Sequence, residues 1–179
     1  MMLQSNDDGN KLNGDCCNSK WQSTPSTCTG YTAAEVGGAT GGSGSESGGV
    51  FQLTARGANF FSGSSTDQFF FYYKSVSNMN QGTMFARFLG SSGGDAWAKV
   101  GLMVRESVAV GSKGFFCGRY LNQALMISSY RSATNGASTS TYSGTLRPWL
   151  RLERDGNLFS TAISTDGINW ISFHDRITM

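Results

Sequence analysis

The run Asp95-Ala-Trp-Ala-Lys-Val-Gly-Leu-Met-Val-Arg-Glu-Ser107 limits the possible folds more than any other stretch of the chain. Between Ala96 and Val104 the only charge is Lys99, and apolar residues fall on both alternating faces. Trp97, Gly101 and Met103 point one way; Ala98, Val100, Leu102 and Val104 point the other. A strand that is apolar on both faces is covered on both, so the run predicts a central strand held between two layers. The competing reading is a buried helical segment, against which the short length and Gly101 both count. Arg105-Glu106-Ser107 returns the chain to water.

Other segments agree with an all-β chain. Val50 to Ala55 alternates as a strand does. Asp67 to Val76 predicts an aromatic strand with Phe69, Phe71 and Tyr73 on one face and Phe70, Tyr72 and Lys74 on the other. Met84 to Leu89 reads as the next strand, and Gly114–Tyr120 with Ala124–Tyr130 as a hairpin turning at Leu121-Asn-Gln123. Asp155-Gly156 and Asp166-Gly167 are two-residue turn signals, each between alternating strands. No segment sustains a helical period. With 15% charged residues, 12% aromatics, 24 glycines and 2 prolines, the 179-residue chain has the composition of one folded, turn-rich β-domain.

The central run, Trp97-Ala-Lys-Val-Gly-Leu-Met-Val-Arg-Glu-Ser107, resembles the W-A-K-A-G-V-M-I-R-E-S signature of a group of secreted, bacterial-type β-sandwich modules. This is the DUF1349-like group, of the concanavalin A-like (laminin-G-like) architecture. Thr66-Asp-Gln-Phe-Phe-Phe-Tyr-Tyr73, Trp149-Leu-Arg-Leu-Glu-Arg-Asp-Gly-Asn157 and Ser164-Thr-Asp-Gly-Ile-Asn-Trp170 resemble further strands and hairpins of the group. The resemblance runs from about Tyr31 to the C-terminus. It implies an antiparallel β-sandwich of jelly-roll type over residues 31–179, and it says less about activity, since one sandwich hosts many functions. Composition alone reads Tyr31 to Gly49 as a flexible linker. The resemblance instead makes Glu35-Val-Gly-Gly-Ala39 and Gly48-Gly-Val-Phe51 the first strand and turn. Members of the group continue past the Trp170 strand with one more, glycine-ended strand, whereas this sequence stops at Met179. The expectation is an open sheet edge that supports a homo-oligomer or filament, or else a fragment of a longer chain.

Residues 1–30 are polar and read as an irregular extension that disulfides hold in order, with Trp21 as its anchor. The cysteines are Cys16, Cys17, Cys28 and Cys117. Adjacent cysteines seldom bond each other, because a disulfide wants Cα atoms about 5.5 Å apart. One of Cys16 and Cys17 is therefore expected to pair with Cys28 and the other with Cys117; four reduced thiols in a cytosolic protein is the competing reading. Zinc is a poor fit, as the chain has no Cys-x-x-Cys and a single histidine, His174. The N-terminus lacks the basic start and apolar core of a signal peptide, so the chain is either a mature or excised piece of a larger product or one not secreted by the usual route. The location expected from the rest of the reading is extracellular or cell-surface.

The chemistry points away from catalysis. Glucanases of this architecture need carboxylates about 5 Å apart. Glu35, Glu46, Glu106 and Glu153 are scattered, and Asp95 and Glu106 flank the central run at opposite ends. His174 beside Asp175 reads as a lone surface histidine, and Cys117 has no basic neighbour in sequence. Asp67, Asp95, Asp155 and Asp166 sit at loop ends without forming an acidic calcium loop. Ser164-Thr-Asp-Gly-Ile-Asn-Trp170 is close to the Asp-box of sialidase propellers and reads as a hairpin brace. The net charge of +2, with no basic cluster, argues against nucleic acid or anionic membrane as partners, and no run is long enough to span a membrane. No cofactor is implied. Sugars stack on aromatic faces beside planar polar groups, so the candidate glycan ligands are Tyr120, Tyr130 and Trp149 with Arg119 and Arg131. Tyr72 and Tyr142 are further spare aromatics. The expected function is a non-catalytic extracellular structural or adhesive module that self-assembles, then a carbohydrate-binding module, and only distantly a glycoside hydrolase.

Overall fold

The structure is a computed structural model that describes residues 2–4, 12–15, 30–60, 67–77 and 80–179; for 2–4 and 12–15 it describes the strand pairing alone. The strands in chain order are β1 (Met2–Gln4), β2 (Leu12–Asp15), β3 (Thr32–Val36), β4 (Ser43–Ser47), β5 (Val50–Thr54), β6 (Phe69–Tyr73) and β7 (Gln81–Ser91). They continue with β8 (Lys99–Arg105), β9 (Gly114–Tyr120), β10 (Met126–Arg131), β11 (Thr139–Ser143), β12 (Trp149–Asp155), β13 (Leu158–Ser164) and β14 (Ile171–Thr178). Among the described residues these form two seven-stranded antiparallel sheets and no helix. Sheet I runs β11-β10-β9-β8-β1-β6-β3, and sheet II runs β14-β13-β12-β7-β2-β5-β4. The stretch from Thr32 to Thr54, linker-like in composition, is three strands with glycine turns. Gly37, Gly38, Gly48 and Gly49 there all have positive φ.

β8 is the fourth of the seven strands of sheet I, and its residues from Lys99 to Met103 are all buried. The two faces of the run meet two different layers. On the inner face Leu102, Phe115, Cys117 and Met126 of sheet I pack with Ala86, Leu150, Leu152, Phe159 and Ile163 of sheet II. Phe70 and Val100 meet Leu53 of sheet II in a neighbouring cluster, completing a sandwich-like arrangement. On the outer face Met103, Phe116, Tyr120 and Ile127 pack with Phe69, Phe71 and Val36, all from sheet I. Phe60, from the crossover between β5 and β6, caps this second layer with its ring 4.6 Å from Phe116 and 5.8 Å from Phe69. Rings meeting edge to face in this way add to the burial of their area. The glycine opposite Gly101 is Gly118, and a Cβ there would stand 2.2 Å from Phe116 Cζ, so the Phe116 ring lies across it.

Three expectations are corrected. Residues 2–4 and 12–15, read as part of an irregular extension, are strands inside both sheets. β1 sits between β8 and β6, and β2 between β7 and β5. A short, polar segment gives no periodic signal of its own, because what fixes it is backbone pairing to strands on both sides. Cys117 is a free thiol in the inter-sheet core with 0% exposure, so the expected bond to Cys16 or Cys17 is not made. Strand parity turns its side chain inward, into the core between the sheets. Cys16, Cys17, Cys28 and Trp21 lie outside the described residues. Finally, His174 is a half-buried member of the inter-sheet layer, as set out below.

The β13–β14 turn is the brace that its sequence suggested. Ser164 Oγ accepts from the Asp166 and Gly167 N–H groups, and Asp166 Oδ1 accepts from Ile168 and Asn169 N–H, each at 2.8 Å. The Asn169 backbone N–H, its side-chain amide, the Ile168 N–H and Ser164 together hold the Asp166 carboxyl well below the usual range. A depressed folded pKa means that the stabilisation is present above the unfolded value, about 3.9, and is lost as pH falls through the folded one. The melting-temperature gap between wild type and Asp166→Ala is therefore expected to be full at pH 6 and to narrow below pH ~4. A gap that held constant down to pH ~2 would mean that charge plays no part in the brace.

Candidate functional site

The turn that delivers the chain to β8 is clamped to the β9–β10 turn. Asp95 Oδ1 accepts the Trp97 N–H at 2.7 Å, an Asx-turn that ends the loop. Asn122 Nδ2 donates to the Gly94 and Asp95 carbonyls at 2.7 and 3.1 Å, and Gln123 Nε2 to the Ala96 carbonyl at 2.9 Å. The Leu121 N–H donates to the Ala98 carbonyl at 2.8 Å. The clamp leaves Trp97 57% exposed, with its ring edge-on to Tyr120 at 5.7 Å. Tyr142, on edge strand β11, is 54% exposed and close enough to the Tyr120 hydroxyl to act on it electrostatically. Burial, with Tyr142 beside it, pushes the Tyr120 hydroxyl up to about 12, so it stays neutral. Beneath, Lys99 Nζ lies 5.0 Å from the Tyr120 ring centre. One open ring, Trp97, thus rests edge-on against a buried ring with a second open ring, Tyr142, close by, a geometry that can stack on the apolar faces of sugar rings without first ordering a loop.

The five residues expected to bind a glycan are not gathered in one place. Arg119 and Tyr120 are consecutive on β9, and Tyr130 and Arg131 are consecutive on β10, so within each pair the side chains leave opposite faces of the sheet. Tyr120 and Arg131 face the outer layer of sheet I. Arg119 turns inward, its guanidinium 4.4 Å from the Phe88 ring centre, and Tyr130 meets Phe115 and His174. Trp149 lies on the far face of sheet II, against the Gly167 turn and with Arg87 near its ring. Sequence adjacency suggested aromatic–arginine pairs, and on a strand adjacency separates them. Of the five, Tyr120 alone belongs to the open aromatic face. Trp97 was missed because the alternating run was counted from Asp95, whereas the strand begins at Lys99. The signal that could have marked it is Asp95 two residues earlier, a turn residue that places Trp97 outside the sheet.

Arg131 is fully buried and offers no surface to a sugar. It makes a fork to Asp67, with Nη1–Oδ2 at 2.8 Å and Nη2–Oδ1 at 3.0 Å. Arg105 joins the same carboxylate at 3.0 Å, with its side chain 1% exposed. The two arginines flank Gly114, to which both are paired. They also hold the following loops: Arg105 donates to the Ser107 and Ala109 carbonyls and Arg131 to that of Gly136. Burial pulls the Arg105 pKa down, against the pull of Asp67. This clasp is an internal brace.

The groups with catalytic potential are engaged elsewhere. His174 Nδ1 lies 3.2 Å from Ser128 Oγ, which is 3.0 Å from Thr161 Oγ1 across the sheets, but Ser128 is 0% exposed and out of reach of a substrate. Burial lowers the His174 pKa, with Asp175 opposing. The Cys117 thiol is pushed up to about 12 by burial and is not a thiolate nucleophile. Glu106 pairs with Lys113 at 3.4 Å after β8, while Asp95 braces the turn before it. Among the described residues no three His, Cys, Asp or Glu side chains converge as metal ligands. No family model, no curated protein and no solved structure matches the chain.

Proposed function

We propose that the chain is a non-catalytic extracellular module that binds carbohydrate through the Trp97–Tyr142 face, on a jelly-roll sandwich of concanavalin A-like type. The observation that carries this reading is half-exposed Trp97, held edge-on to buried Tyr120 by a hydrogen-bonded turn clamp, with half-exposed Tyr142 close by. Exposed aromatics fixed before binding lose little entropy when a sugar stacks on them. A disulfide between Cys28 and one of Cys16 or Cys17 belongs to the same reading and would appear in a non-reducing peptide map. Affinity electrophoresis through gels of soluble polysaccharides tests the function. Wild type is retarded in at least one gel, and Trp97→Ala and Tyr142→Ala run about tenfold weaker, the loss of roughly 1.4 kcal/mol per stacked ring. Equal retardation of wild type and both variants, or none in any gel, ends the proposal.

The second reading is assembly of copies through the edge of β14. It is favoured by Ile168 and Ile171, 80% and 51% exposed at the start of that edge. Against it stand the register shifts between β13 and β14 and the exposed Asp175 and Arg176, features that blunt an edge. Light scattering and electron microscopy over a wide concentration range decide: ordered oligomers or fibres support assembly, and a monomer throughout removes it.

A further inference from the structure

We infer that Lys99 and Asn59 become joined by an intramolecular isopeptide bond, with loss of ammonia. Lys99 Nζ lies 3.3 Å from Asn59 Oδ1, across 40 residues of sequence. Amines and carbonyl carbons react from separations of about 3–3.5 Å, and here the amine already touches the oxygen of the carbonyl that it would attack. Lys99 is 7% exposed, and its head group lies 5.6 Å from the Phe60 ring centre and 5.0 Å from that of Tyr120. It has no ion-pair partner among the described residues.

The surroundings supply what aminolysis of an amide needs. The first need is an unprotonated amine. Burial brings the Lys99 pKa down to about 8 against the opposing charge of Asp95, so a useful fraction is neutral near physiological pH. The second is a polarised carbonyl: the Phe60 N–H donates to Asn59 Oδ1 at 2.9 Å and can steady the charge that grows on that oxygen. The third is a base. Asp95, the carboxylate whose charge acts on Lys99, is the candidate for that role. In the reaction the Nζ–Cγ bond forms and the Cγ–Nδ2 bond breaks. The proton lost by Nζ passes by way of Asp95 to the departing nitrogen, which leaves as ammonia. Nothing is oxidised or reduced.

The bond would tie the β5–β6 crossover, whose Phe60 caps the outer layer, to the central strand. The inference is independent of carbohydrate binding. The test is the intact mass of the folded wild-type chain, held at pH ~8, where about half the amine is neutral, and then denatured and reduced. The expected mass is that of the sequence less one ammonia. Trypsin is expected to leave residues 57–74 joined to 88–105 and to skip Lys99, while Lys99→Met and Asn59→Ser show the unreduced mass. Asp95→Asn is expected to slow the loss at least tenfold, the contribution of general base catalysis being about 100-fold or more. A full-length mass in wild type, or an ammonia loss that maps to other peptides, overturns the inference, and neither result depends on a variant folding.

Discussion

Asp67→Asn is expected to destabilise the fold by about 3–5 kcal/mol, the cost of leaving buried guanidinium groups without their carboxylate. The substitution keeps the shape of the side chain and removes the charge that answers both Arg105 and Arg131. Against a total stability of about 5–15 kcal/mol, such a loss would leave a marginal protein. Urea denaturation measures it as a lower midpoint at unchanged slope. Arg131→Met gives the comparison, since it removes a fork of two hydrogen bonds and leaves Asp67 its bond to Arg105. If the clasp acts as a unit, the double variant loses less than the sum of the singles, by more than about 0.5 kcal/mol. Additive losses, or an Asp67→Asn midpoint within error of wild type, would show that Asp67 does not hold the arginines in solution.

Deleting residues 1–15 is expected to have the larger effect and to abolish cooperative folding. β1 and β2 each sit inside a sheet, so their removal unpairs the facing edges of β6, β8, β5 and β7 together. Each hydrogen bond lost to a buried edge costs about 0.5–1.5 kcal/mol net and more where the group stays dry, and several are lost per strand. Unpaired inner edges also template association with other chains. The expected readout is a broad, low-amplitude thermal transition with soluble aggregates. A deletion variant that melts as sharply as wild type would make the N-terminal segment dispensable. Leu3→Pro is a finer probe: it removes one N–H from the middle of β1, whose residue is paired to both Phe70 and Val100.

Much of the fold was legible before any coordinates. The central position of β8 followed from a run apolar on both faces, and the late hairpins from Asp-Gly turns between alternating strands. The aromatic faces of β6 divide as parity predicts, with Phe69 and Phe71 in the outer layer of sheet I and Phe70 between the sheets. These features are local, since a two-residue period and a turn residue act within a few positions of themselves. The candidate site was far less legible. Trp97 and Tyr142 are 45 positions apart, and what relates them is Tyr120, brought near both by strand order. The clasp was invisible for the same reason, its carboxylate lying 38 residues from one arginine and 64 from the other.

The sequence by itself determined that this is an all-β chain with a doubly covered central strand and tight, acid-braced turns, because alternation and turn chemistry are properties of neighbouring residues. Only the tertiary structure decided which of the two covered faces meets sheet II and which carries a layer of its own. It also decided that Cys117 is a core thiol, that Arg131 is an internal brace, and that the N-terminal segment completes both sheets. Each of these depends on strand order and on which way a given side chain leaves its strand. A shift of one residue reverses that direction, and composition does not encode it.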